Sequence, residues 1–233
     1  MTELSSNFEE AWDRFRGARS LRLLQETLEW EWTRGRKEYA AFLIEVEDAA
    51  VRQHISRTIE RLGSIPGVDP YPDTYWHITV KGIGFVVDQP SQPDEVSPRQ
   101  VAEFGAKARA MIEATPQFTT TVGPPNGFPE VVMLEVEDGG AIGALNDHLT
   151  GSMDGLPVYP VDGPSLLPHI SIARFSSQEG LGSLKDTLAE LRADAGAGPS
   201  FTVGEVRLIQ AHLAEAAPTF DTLASYRLLS NGA

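Results

Sequence analysis

No cysteine occurs in the 233 residues, which rules out disulfides, zinc–thiolate centres and thiol nucleophiles. No stretch approaches the roughly 20 apolar residues of a membrane-spanning helix. The opening Met1-Thr2-Glu3-Leu4 lacks the apolar run of a secretory signal. No membrane partner is expected, and a cytoplasmic location is. Basic residues are scarce: 19 Lys and Arg stand against 33 Asp and Glu, for a net charge of -14. That balance argues against a uniformly basic groove for long duplex nucleic acid, because binding would work against the whole field. It leaves room for a small phosphodiester or an RNA terminus in a local pocket. Metal-ligand spacing is missing as well. There is no His-x-x-x-His pair and no tight carboxylate–His cluster, so neither a metal nor another cofactor is expected.

What is present is ordinary in amount and unusual in arrangement. A hydrophobic content of 41% over this length is enough for one large domain or two small lobes. The tetrapeptide His77-Ile78-Thr79-Val80 recurs as His169-Ile170-Ser171-Ile172. Both copies alternate polar and apolar, the pattern of a half-buried strand with its His and hydroxyl on one face. A second tetrapeptide, Glu45-Val46-Glu47-Asp48, recurs at Glu135 to Asp138. The His copies are offset by 92 residues (77 to 169) and the Glu copies by 90 (45 to 135), in the same order. Two repeats at nearly one offset point to an internal duplication.

The duplicated unit reads as strand, helix, His strand, helix, strand. Its first copy has a strand from Tyr39, a helix from about Ala49 to Leu62, the His77 strand, a helix from about Ser97 to Ala114, and a strand opening Phe118-Thr119. Its second has a strand from Val131, a helix from about Ala141 to Leu149, the His169 strand, a helix from about Leu181 to Ala193, and a strand opening Phe201-Thr202. Segments Val203 to Leu213 and Phe220 to Leu229 are expected to complete the second sheet as a hairpin. The fold class is α+β: a two-lobed domain over 38–233, with two antiparallel-rich sheets and outer helices about a pseudo-two-fold axis. Its central cleft would be lined by the polar faces of both His strands. Residues 1–37 form a separate N-terminal helical extension. Phe8, Trp12 and Phe15, then Leu21, Leu24 and Leu28, keep helical spacing to about residue 35, with Gly17 as a candidate break. The extension reads as a stabilising arm, with a lid or partner-binding element as the alternative. A monomer is expected.

On the first His strand, period two places Tyr75, His77, Thr79 and Lys81 on one face. On the second, His169, Ser171 and Ala173 share a face, and strict pleating turns Arg174 away unless a bulge or the strand end intervenes. Histidine titrates near neutrality, so one imidazole can take a proton while another gives one. A Thr or Ser hydroxyl two residues on can donate to a phosphate oxygen, and Lys81 or Arg174 can offset charge there. His54, His148 and His212 lie in helices or at a strand end and read as solvated or capping groups. Asp73 reads as a turn cap.

At these residues the chain resembles the 2H phosphoesterase superfamily, in its 2′-5′ RNA ligase-like and RNA 2′,3′-cyclic phosphodiesterase branch. The resemblance covers about residues 38 to 230 in element order. It implies metal-independent hydrolysis of a cyclic phosphodiester, with His77 and His169 as the acid–base pair and Thr79 and Ser171 as phosphate ligands. Ala173-Arg174 matches the branch's Ala-Arg after the second motif, which makes Arg174 a candidate substrate contact. After the first motif the branch often has a bulky residue before Leu-Gly; here Gly82 stands in that place, before Ile83-Gly84. The alternatives are a non-catalytic nucleotide or RNA-end binding module on the same fold, or 2′-5′ RNA ligation.

Overall fold

A buried strand, a capping Asp and an amphipathic helix open each half. The computed structural model describes residues 3–24, 32–163, 166–213 and 217–230. After α1 (Glu3–Gly17), the first half runs β1 (Glu38–Glu45), α2 (Ala49–Leu62), β2 (Val68–Pro70), β3 (His77–Val86), β4 (Glu95–Val96), α3 (Pro98–Glu113) and β5 (Phe118–Gly127). The second runs β6 (Val131–Glu137), α4 (Ala141–Ser152), β7 (His169–Phe175), α5 (Leu181–Ala193), β8 (Ser200–Val203), β9 (Glu205–His212) and β10 (Thr219–Arg227). The fold is α+β, and the duplicated order of elements is present in both halves. Among the described residues no helix is long and apolar enough to cross a membrane.

The repeated Glu-Val-Glu-Asp is a folding device. Asp48 accepts from the N–H groups of Ala50 and Val51 at 2.9 and 3.0 Å, capping α2. Asp138 accepts from Gly140 and Ile142 at 2.9 and 2.5 Å, at the start of α4. Each cap satisfies helix N–H groups that have no partner within the helix. Val46 and Val136 drop into the core between strand and cap. Glu45 pairs with Arg207, and Glu135 with Arg192. α3 is closed by its own capping box, in which Ser97 and Gln100 bond each other's backbone.

The strands follow the order β10-β9-β1-β3-β7-β6-β5-β8, with β2 on β7 and β4 on β3. The two expected sheets are thus two wings of one continuous sheet. They join where β3 meets β7, at the single register pair Ile78↔Ile170. The β9–β10 hairpin does not complete the second wing, as the sequence order suggests. β9 pairs β1, from Glu38↔His212 to Leu43↔Arg207, while β5 pairs β6. Each half therefore hands its closing strand to the other half's wing. That exchange leaves β3 and β7 at the centre of the sheet. The main core, which includes Phe42, Ile78, Ile170 and Leu188, lies against the helices. A second apolar cluster, with Leu43, Ile209 and Leu213, lies on the other face of the first wing.

α1 docks on the second wing through Phe8, Trp12 and Phe15, all buried. Phe15 stacks on Phe175 of β7 at 6.5 Å between centroids. The helix ends at Gly17, the candidate break, and Leu24 is helical again. Residues 18–23 leave it because their backbone is held elsewhere: Leu21 N–H donates to the Gln178 side chain and Arg22 N–H to the Pro129 carbonyl. Leu28 lies outside the described residues. A methyl group on Gly127 would overlap the Phe15 ring. Gly127→Ala is therefore expected to cost about 1–3 kcal/mol by overpacking, seen as a lower urea midpoint. An unchanged midpoint would mean that the Phe15 contact is too loose to hold α1 in place.

Candidate active site

Both His strands break their pleat at the same place. β3 carries an extra residue at Val80, since Phe42 faces Lys81 and Leu43 faces Thr79. β7 carries one at Ile172, since Val132 faces Ala173 and Met133 faces Ser171. The bulges are 92 residues apart, the same offset as the histidines. Each inverts the alternation that follows it. Lys81 and Ala173 turn into the protein, whereas Gly82 and Arg174 come to the face of His77, Thr79, His169 and Ser171. The bulge that Arg174 requires is thus in place.

Ile78 and Ile170 are fully buried against the helices, so the flanking residues of both motifs project to the opposite face. The antiparallel register sets His77 across from Ser171, and Thr79 across from His169. Side chains facing one another in this way have Cβ atoms about 4.5–5.5 Å apart, and diagonal ones about 7–8 Å. The two imidazoles form such a diagonal about the pseudo-two-fold axis. Each is oriented identically. Nδ1 of His77 lies 2.5 Å from the Tyr75 carbonyl, and Nδ1 of His169 lies 2.7 Å from the Leu167 carbonyl. A carbonyl only accepts, so Nδ1 carries the hydrogen and Nε2 is left with a lone pair. A phenylalanine stands edge-on to each ring, Phe220 at 5.1 Å from His77 and Phe128 at 5.1 Å from His169.

Burial pushes the His77 imidazole down to about 4, opposed by the Tyr75 carbonyl and reinforced by His169. Burial also lowers His169. Both rings are therefore neutral at pH 7. Because an unfolded His binds its proton near pH 6.5, the unfolded chain takes up more protons below that value. Stability is expected to fall as pH drops from about 6.5 toward 4, with His77 alone contributing roughly 3 kcal/mol across the window. Urea midpoints at pH 7 and 4.5 measure this. His77→Gln should reduce the difference, and an equal drop in both proteins would assign it to other groups.

Lys81 does not reach the cleft as a free cation. Its ammonium is fully buried, bonded to Asp162 and at 2.7 Å to the Pro157 carbonyl. Arg174 has its guanidinium 5.4 Å from the Tyr71 ring, which stacks on Tyr75 at 4.0 Å. Tyr75 in turn meets His77 and Phe220. Asp73 pairs with Arg52 and does not cap its turn. His212 sits between Glu38 and Asp221 on the surface. Among the described residues no three His, Asp or Glu side chains stand close enough to hold a metal ion.

A cavity of about 420 Å³ opens from His77 and Thr79 along the first wing. Tyr39, Trp32, Tyr71 and Phe220 line it. Spacing gave no sign of these residues, because aromatics in strands and loops read as ordinary core. The one available hint was Gly82. A Cβ there would strike the Tyr39 hydroxyl and touch Tyr159 at 3.4 Å, so these rings occupy the space that a bulky residue 82 would take.

Known proteins share this architecture. The structure of TT0787 from Thermus thermophilus superimposes with a TM-score of 0.60 at 16% identity, covering 83% of this chain and 100% of its own. E. coli LigT complexed with phosphate gives 0.56 at 17%, covering 84% and 99%. ATU0111 from Agrobacterium tumefaciens gives 0.62 at 15%, covering 91% and 97%. At these identities the likeness is one of fold. No curated protein matches the sequence. The model of the 2′-5′ RNA ligase superfamily matches residues 45–215, a span that holds β3, β7 and both His motifs, and the chain belongs to that superfamily.

Proposed function

We propose that this protein hydrolyses a cyclic phosphodiester, the 2′,3′-cyclic phosphate of a nucleotide or RNA end, with two histidines as acid and base and no metal. The observation that carries this reading is the paired imidazole geometry: two rings on one face, each with Nδ1 tied to its own carbonyl and Nε2 left to work. A phosphodiester anion entering between them raises the affinity of both for a proton, because an opposite charge nearby favours the charged form. One ring then becomes imidazolium while the other stays neutral. Water attacks phosphorus in line as the neutral Nε2 takes its proton. The new P–O bond forms while the bond to the ribose oxygen breaks, and the imidazolium proton goes to that oxygen. Thr79 and Ser171 donate to the non-bridging oxygens, and Arg174 offsets their charge. The same steps, with an RNA 5′-hydroxyl attacking in place of water and the ribose 3′-oxygen leaving with the imidazolium proton, would give a 2′-5′ linkage, which the superfamily's description favours as the second reading.

The test is turnover of nucleoside 2′,3′-cyclic phosphates by the purified chain in EDTA, with the product identified by mass spectrometry. Linear nucleoside monophosphate is expected. Tight binding without product would make the protein a binding module. Joined product from cleaved RNA halves would make it a ligase.

A further inference from the structure

The cavity beside the histidines has a floor with no polar side chain. Ala41 and Leu43 of β1, with Ile209 and Ala211 of β9 and Leu213 beyond it, form that floor. Trp32, Tyr39 and Phe220 stand around it. Trp32 is held in place from behind. Its carbonyl accepts from Arg36, whose guanidinium is fixed by Asp94 and Glu95 and lies 3.7 Å from the Phe85 ring. The indole packs on Tyr39 and Phe85 at 5.1 and 5.0 Å.

Among the described residues, Asn146, Asp162 and Lys81 at the far wall are spent on one another, and the Tyr159 hydroxyl is buried. Asn146 donates to the Val80 carbonyl and Asp162, and accepts from Gly163 N–H. Asp162 also accepts from Lys81 and from Tyr159 N–H. None of these is left to read the edge of a nucleobase, which needs directed donors and acceptors. A polyanion running out of the cleft would meet Glu130 on the rim and an overall charge of -14. Phosphate chemistry thus sits next to a preformed apolar cavity of ligand size.

We infer that the part of the substrate seated in this cavity presents an apolar face, as an aryl ring or the flat face of a base does, and that the site selects by apolar contact rather than by base identity or RNA length. This rests on the reading of the two histidines as a phosphodiester site. It deepens that reading by naming what the phosphate carries.

Binding tests it apart from turnover. Calorimetry would compare phenyl phosphate with methyl phosphate, which carry equal charge, and then the four nucleoside 2′-monophosphates. Phenyl phosphate should bind at least tenfold tighter than methyl phosphate. The four nucleotides should differ among themselves by less than fivefold. Ala41→Leu, which fills the floor, should lower the phenyl-to-methyl ratio at least fivefold. Equal affinities of the two esters in the unmodified protein, or tenfold discrimination between bases, would overturn the inference. Those results would leave hydrolysis by the histidines standing. Conversely, a phenyl preference with no turnover of any cyclic phosphate would uphold the cavity and sink the hydrolase.

Discussion

His77→Ala and His169→Ala should each lower kcat for a 2′,3′-cyclic phosphate by about 10²–10⁴-fold, the usual contribution of one general acid or base. The double variant should be scarcely worse than either single one, because two groups acting in the same transition state are not additive. The pH profile should separate two states of the site. In the free protein burial holds His77 near about 4 and lowers His169. The form with one ring protonated is therefore most abundant below pH 6.5, and kcat/KM should peak on that acid side. Bound phosphodiester raises the proton affinity of the pair, so the optimum for kcat should lie at higher pH. Each single variant should abolish one limb of the bell. Substantial activity in either variant, or coincident optima for kcat and kcat/KM, would refute acid–base catalysis by this pair. Circular dichroism should stay native in both, since each ring is tied to a carbonyl just before its own strand and to edge-on aromatic rings at the cleft.

The elements were legible because each is a local matter. The helical pattern gave α2 as Ala49 to Leu62 and α3 within a residue at each end of Pro98–Glu113. Alternation around His77 and His169 gave both strands their inward and outward faces. Neighbours in the sheet were not legible. Period two says which face of β9 is apolar, but not that β9 pairs β1 and leaves β8 to the other wing, because strand partners are set by tertiary packing and not by the local period. The bulges at Val80 and Ile172 were hidden for a related reason. An extra residue has no signature in Val or Ile, yet it reversed the faces of Lys81 and Arg174. The cavity walls were missed because Tyr39, Trp32 and Phe220 lie far from either motif in the chain and meet only after the wings form.

Lys81 is where that reversal has its largest energetic consequence. Turned inward by the bulge, its ammonium is lowered by desolvation and supported by Asp162. Removing the acid leaves a buried cation with one carbonyl. It also strips the acceptor from Asn146 and Tyr159 N–H. Asp162→Ala should cost about 3–5 kcal/mol of unfolding free energy, the range for breaking a buried ion pair by deleting one partner. Lys81→Met with Asp162→Asn should cost less than Asp162→Ala alone, since the asparagine oxygen still accepts from Asn146 and the buried charge is gone. The damage should reach the site as well. Asn146 grips the Val80 carbonyl at the bulge, and Asp162 holds the loop that carries Tyr159, so loosening the pair loosens one wall of the cavity while leaving both histidines on their carbonyls. Asp162→Ala should therefore raise KM for the cyclic phosphate more than it lowers kcat. Urea unfolding of the two variants measures the first claim and steady-state kinetics the second. A loss below about 1 kcal/mol, the level of an exposed pair, would show that water reaches Lys81 and that the bulge does not bury it.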